Sequence, residues 1–243
     1  MKVKVTLHGG LRDLLYEDMG KSGEPIFIEF PFKRSIKDLI QSLGIPHTEW
    51  GEIYLWGKRA HPWEIINDGD FIEVFGVPDP SLPLGNALFI CDVHLRKLAK
   101  RLRLLGFDTL YNPEWDDGDL AAISHEQNRI LLTRDRGLLM RNSVNFGHLI
   151  HHIHVLDQVS EVINRWKLSK LIKPFSRCIL CNHILDSVPM DSYLFENRCK
   201  PQIPPRVFMW CTEYHYCSLC DKTFWKGTHF LKLKEFCTWV ESS

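Results

Sequence analysis

Two uninterrupted apolar runs, Ala87 to Cys91 and Ile130 to Thr133, occupy the middle of the chain, and each gives out at an aspartate. Asp92 follows the first directly, and Asp135 follows the second after one arginine. Short runs that are apolar throughout and separated by helical patterns read as strands buried on both faces of a parallel sheet. An open parallel sheet places its chemistry at the carboxyl ends of its strands, near the point where strand order reverses. Asp116 and Asp117 stand on the intervening segment, so acidic groups from three places are expected to converge. Carboxylates crowded together repel unless a cation lies among them, and ligation by oxygen alone suits magnesium or manganese. The pattern points to metal-dependent phosphoryl transfer and, within that class, to a nuclease. Taken singly, Asp92, Asp117 and Asp135 are equally well placed as helix N-caps. Capping does not explain why they occur together at these places.

With 243 residues the chain has room for two or three small domains. Its 30 Lys+Arg balance 30 Asp+Glu, so a nucleic-acid surface must be a local patch and not a global field. No apolar stretch is long enough to span a bilayer, and Met1 to His8 alternates like a strand instead of reading as a signal peptide. Eight cysteines without a secretory signal point to a reducing compartment and metal ligation, and a cytoplasmic location without a membrane partner is expected.

Three domains are expected. Residues 1–78 show alternating stretches at Val3–Leu7 and Ile26–Phe30, a helix at Ile36–Leu43 capped by Ser35 and ended by Gly44, and strands at Ile53–Trp56 and Phe71–Phe75. Strand, strand, helix, strand, strand is the order of a β-grasp, ubiquitin-like module. A proline-rich linker covers 79–85. Residues 86–171 alternate strands and helices as βαβ units do. In the helix after Asp92, Leu95, Leu98, Ala99, Leu102 and Leu105 form one stripe, and Arg96, Lys97, Lys100, Arg101 and Arg103 take the rest. Later elements are expected to be a helix at 120–127, a helical turn at 136–141, a last strand over 149–156 and a helix over 158–166. His148, His151, His152 and His154 read as surface residues, because an alternating strand divides them between faces.

Residues 172–243 carry two Cys-x-x-Cys knuckles, Cys178/Cys181 and Cys217/Cys220, which supply four thiolates at the spacing tetrahedral zinc needs. The long stretch between them implies an insertion around Pro201–Pro205. Cys91, Cys199, Cys211 and Cys237 lack partners at ligand spacing and read as ordinary thiols. Trp210, Tyr214, Tyr216, Phe224, Trp225 and Phe230 interleave with lysines, a mixture suited to stacking on single-stranded RNA. A small zinc domain also needs a core, and core is the reading favoured for most of these rings.

The stretches 89–108, Arg-Ile-Leu-Leu-Thr-Arg-Asp-Arg-Gly-Leu-Leu at 129–139, Arg-Cys-Ile-Leu-Cys-Asn at 177–182 and Phe-Trp-Lys-Gly-Thr-His at 224–229 resemble, jointly and in order, the Mut-seven-C RNase family. That family has a PIN-like fold followed by a zinc ribbon, and residues 1–78 resemble the ubiquitin-like domain, similar to ThiS and MoaD sulfur carriers, that often precedes it. The resemblance implies an α/β fold with an N-terminal β-grasp, a PIN-like parallel-sheet domain and a C-terminal zinc ribbon. It implies a ribonuclease in which Asp92, Asp117 and Asp135 hold divalent magnesium or manganese, while Cys178, Cys181, Cys217 and Cys220 hold structural zinc. Asp116 and Asp119 stand as alternatives for a fourth acidic ligand. Phosphate contacts are expected from Arg96, Lys97, Lys100 and Arg101 after Asp92 and from Arg134 and Arg136 around Asp135, with His229 as a further substrate contact. The expected partner is single-stranded RNA, with protein docking on the ubiquitin-like domain. Sulfur-carrier or conjugation chemistry needs a free terminal Gly-Gly, whereas Gly76-Val77-Pro78 runs on into the linker. A catalytically silent RNA- or ribosome-binding adaptor with a structural zinc is the alternative function.

Overall fold

The computed structural model describes residues 1–16, 25–77, 80–225 and 227. In chain order its first half contains β1 (Lys2–His8), β2 (Ile26–Glu29), α1 (Ile36–Ser42), β3 (Trp50–Leu55), β4 (Lys58–Arg59), β5 (Phe71–Gly76), β6 (Leu88–Cys91), α2 (Arg96–Leu104) and β7 (Asp108–Leu110). Then follow α3 (Asp117–Glu126), β8 (Ile130–Thr133), α4 (Arg136–Leu139), β9 (Gly147–Leu149), α5 (Val155–Arg165), β10 (Asp186–Val188), β11 (Tyr214–Cys217) and β12 (Lys222–Trp225). These elements gather into two compact units, Met1–Leu84 with Glu114–Ile150 and Gly85–Pro113 with His151–Ser243.

The first unit contains a five-stranded sheet in the order β2-β1-β5-β3-β4, with β1 parallel to β5 and antiparallel to β2. Alternation in β1 buries Val3, Val5 and Leu7, and β5 buries Ile72 and Val74. Ser35 Oγ accepts the Asp38 amide at 3.1 Å and starts α1, whose Ile36, Leu39 and Ile40 are fully buried. Gly44, at φ +92°, turns the chain out of the helix. The unit also contains β8, buried at every position, parallel to β9 with Leu131 opposite Gly147. The expected last strand at 149–156 is corrected: the strand is Gly147–Leu149, and α5 already begins at Val155. The strand forms early because Gly147 packs close to β8 and α4. A Cβ there would lie 2.5 Å from Leu139 Cδ2 and 3.2 Å from the Leu131 carbonyl oxygen.

The second unit contains β6 parallel to β7, with Leu88, Phe89 and Ile90 opposite Asp108, Thr109 and Leu110. The α2 stripe of Leu95, Leu98, Ala99, Leu102 and Leu105 is at most 1% exposed, and burial of each leucine contributes about 2 kcal/mol. Downstream lies the antiparallel sheet β10-β11-β12. Helical turns at Phe195–Cys199, Lys200–Gln202 and Pro205–Met209 form the expected insertion. These turns give the ribbon a core of its own, in which Phe195, Cys199, Ile203 and Val207 pack with Cys211, Tyr214 and Tyr216.

Candidate metal centres and nucleic-acid interface

The four knuckle cysteines meet in the second unit, their ligand atoms all within 4.8 Å of one another. Cys181 and Cys217 Sγ are 3.5 Å apart, and Cys178 and Cys220 Sγ are 4.0 Å apart. Four sulfurs around tetrahedral zinc at about 2.3 Å would be separated by about 3.8 Å, so this donor set fits that ion. Burial pushes the Cys178 and Cys220 thiols up, so thiolates in this place need a cation among them.

The first knuckle is bonded to the helix that follows Asp92. Arg103, which the sequence places on the polar side of α2, is 4% exposed. Its guanidinium donates to the carbonyl oxygens of Thr109 at 2.8 Å, Leu180 at 2.8 Å and Ile179 at 3.4 Å. Asn182 accepts from the Thr109 amide at 3.0 Å and donates to Asp108 at 2.8 Å. Arg177 completes the seam with a 3.1 Å ion pair to Asp108. The sequence held a sign of this: position 103 lies one helical repeat after Ala99, at the edge of the buried stripe.

Asp92 directly follows β6 and is only 5% exposed. It stands at the start of the 3-10 turn Val93–Leu95, yet its side chain makes no capping bond there. In the first unit, Asp135 does cap: Oδ1 accepts the Gly137 amide at 2.7 Å and the Leu138 amide at 3.4 Å. The cap of α3 is Asp116, not Asp117, in a reciprocal capping box with Asp119. Asp116 and Asp119 are thus committed to each other's backbone, and the neighbouring Asp117 stands 3.7 Å from Arg141. Arg141 was not singled out from the sequence. Within its own unit and among the described residues, none of Asp92, Asp117 and Asp135 belongs to a cluster of three or more His, Cys, Asp or Glu whose ligand atoms all lie within 4.8 Å of one another.

On α2, Arg96, Lys97 and Arg101 are exposed and Lys100 is half-buried, and none of the four has an ion-pair partner among the described residues. Three concavities adjoin this face. One of about 290 Å³ is lined by Arg96, Lys100, Arg103 and Tyr111. Lys100 also lines a second, of about 270 Å³, together with Lys97, Arg101 and Ile179. Arg101 and Ile179 continue into a third, of about 430 Å³, where Phe175, Phe224 and Trp225 supply rings and Arg177 a second guanidinium. Of the ribbon rings, Tyr214 and Tyr216 are buried in the core, Phe224 and Trp225 are half-buried against it, and Trp210 is 54% exposed.

Two expected surface groups are otherwise placed. Arg136 donates to the carbonyl oxygens of Leu14 at 2.5 Å and Gly44 at 3.4 Å and lies over the Tyr16 ring, so its guanidinium is not open to a phosphate. His148 is 4% exposed and donates through Nδ1 to Glu49 at 2.9 Å, whereas His152 pairs with Glu161 near the surface. Arg134 is exposed, as expected. His229, Phe230 and Cys237 lie outside the described residues. Cys91, Cys199 and Cys211 are free and buried, and burial raises the Cys91 thiol far above its ordinary range.

The chain is therefore an α/β protein with an N-terminal β-grasp sheet, parallel strand pairs whose ends carry aspartates, and a four-cysteine ribbon. Residues 87–237 match the family model of the Mut7-C RNAse domain, and residues 1–81 match that of the Mut7-C ubiquitin domain. The first match alone spans more than half of the 243 residues, and the chain belongs to the Mut7-C RNAse domain family. No curated protein and no solved structure matches it. No helix among the described residues is long and apolar enough to cross a membrane.

Proposed function

We propose that this chain is a divalent-metal-dependent ribonuclease that hydrolyses phosphodiester bonds of single-stranded RNA. The observation that carries the reading is the position of the aspartates in a chain of this family. Asp92 directly follows the buried strand β6, and Asp135 comes two residues after the buried strand β8. In this reading Asp92, Asp117 and Asp135 are the catalytic carboxylates and hold magnesium or manganese. Carboxylate oxygens are the donors these hard ions select. When bound, the ion supplies positive charge for the scissile phosphate and lowers the proton affinity of water. Asp135 has Oδ2 left for ligation, because its capping bonds use Oδ1 alone. Arg141, 3.7 Å away, partly offsets the charge of Asp117.

Arg96, Lys97, Lys100 and Arg101, which have no ion-pair partner among the described residues, hold the phosphates of the strand, a sequence-independent contact that salt weakens. The third concavity, with Phe175, Phe224 and Trp225, has the apolar rings and paired guanidiniums that suit an unstacked base. Arg134 adds an exposed cation beside Asp135. Arg136 drops out of this set, because its guanidinium is committed to the ubiquitin-like domain. Zinc in the four-cysteine site is structural in this reading, since all four positions are filled by protein and none is open to substrate.

The test is cleavage of labelled single-stranded RNA with manganese by the parent and by Asp92→Asn. Cleavage by the parent and its loss in the variant are expected. Binding of the RNA without cleavage by either protein would favour the silent adaptor instead.

A further inference from the structure

The ubiquitin-like domain and the segment that follows Asp135 are bonded within one compact unit. Four side chains of residues 1–50 reach the stretch 136–149. Gln41 Nε2 donates to the Met140 carbonyl at 3.2 Å, and Lys37 Nζ donates to Asn142 Oδ1 at 2.7 Å. His47 Nε2 donates to the Val144 carbonyl at 2.7 Å. Glu49 Oε1 accepts from the Leu149 amide at 2.7 Å and from His148 at 2.9 Å. Arg136 answers from the other side through its bonds to the carbonyl oxygens of Leu14 and Gly44.

Two glycines leave room for side chains from the other part of the unit. A Cβ on Gly44 would stand 2.7 Å from Arg136 Nη1, and one on Gly147 would stand 3.5 Å from Thr48 Cγ2. The helix held in this way has only four residues, Arg136–Leu139. A single turn does not hold its shape in water. Asp135 is the cap of that turn, so the direction of its carboxylate depends on what fixes the turn.

We infer that the ubiquitin-like domain is a built-in clamp on the Asp135 segment, with Arg136 as the positioning residue that ties the two together. The domain's function here is internal: it fixes a carboxylate that the nuclease reading above makes a metal ligand, and the inference rests on that reading for its catalytic consequence. Charge and hydrogen bonding explain the choice of arginine. Nη1 of Arg136 serves both carbonyl oxygens while the guanidinium lies over the Tyr16 ring, a contact that suits a planar cation better than an ammonium group.

The test uses the full chain with Arg136→Ala, Arg136→Lys and, as a control on an exposed lysine of β4, Lys58→Ala. Hydrogen exchange is read at the amides of 137–149, and manganese affinity, kcat and KM for RNA are measured alongside. Arg136→Ala is expected to speed exchange at Gly137 and Leu138 and to weaken manganese binding about tenfold, the range that supporting partners of metal ligands command. A fall in kcat with KM unchanged is expected, Arg136→Lys should recover part of it, and Lys58→Ala should match the parent. If Arg136→Ala fails to fold, Gln41→Ala takes its place with the same exchange readout. Parental protection and parental manganese affinity in the variant would overturn the clamp. A parent that neither binds manganese nor cleaves RNA counts against the nuclease reading. Exchange at 137–149 then decides the clamp alone, faster exchange supporting it and parental exchange overturning it.

Discussion

Single side chains divide the acidic residues of this chain into two kinds. Asp116 and Asp119 cap the start of α3 for each other, and Asp117 between them does not cap. Asp116→Ala is expected to cost about 1 kcal/mol of stability, as loss of a cap does, while leaving cleavage near the parental rate. Asp117→Asn is expected to leave stability unchanged and to lower kcat by about a hundredfold or more. Denaturant midpoints and single-turnover rates of the two variants separate these effects, and the opposite assignment would show that Asp116 is the ligand. The sequence showed an acidic helix start but not which residue caps it, because Asp116 and Asp117 are identical in chemistry and differ only in register. Arg103 stands where its charge would not put it. Charge suggests the surface, but three carbonyl oxygens hold its guanidinium in the interior, and burial lowers its proton affinity. Arg103→Ala leaves three buried acceptors without their donor, and a loss of about 3 kcal/mol in chemical denaturation is expected.

At the scale of elements, the buried strands and the helix stripe were legible because each follows one period of hydrophobicity: β1 alternates, β8 is apolar throughout, and α2 repeats at three and four residues. The last strand was not, since β9 is only three residues and owes its place to a close approach at Gly147, with a buried histidine in the middle. No local period marks a strand that forms because a glycine lets another element near. His47, in the contact between α1's end and the stretch before β9, gives this region a pH dependence. Its Nε2 must carry the proton it donates to Val144, and Gln41 Nε2 faces its Nδ1 at 3.5 Å, which suits the neutral ring. Burial holds its pKa below the ordinary value, which is about 6.5. The unfolded chain then takes up the proton first as pH falls. The stabilising contribution is complete above about pH 6.5 and is lost as pH drops below it toward the folded value. Denaturant midpoints at pH 7.5 and 5.5 are expected to differ in the parent and to differ less in His47→Gln. Equal differences in the two proteins would assign the pH dependence elsewhere.

Across the whole molecule, the β-grasp order, the paired Cys-x-x-Cys knuckles and the family were readable in advance, while the long-range bonds inside each unit were not. Long-range hydrogen bonds such as Arg103 to Leu180 or Glu49 to Leu149 join residues with no shared motif. The knuckle is a case with consequences. Its backbone and Asn182 hold α2 and β7, so a chelator that strips the four cysteines is expected to loosen more than the ribbon. Hydrogen exchange should quicken at 103–110 together with 178–182, in step with release of one zinc per chain; exchange confined to the ribbon would show that the seam stands without metal. Whether Asp92, Asp117 and Asp135 share a hard cation is decided by anomalous diffraction from crystals soaked in manganese. A peak ligated by these three carboxylates is expected in the parent and absent from Asp92→Asn. Manganese bound elsewhere in the parent, with these carboxylates bare, would contradict the shared site.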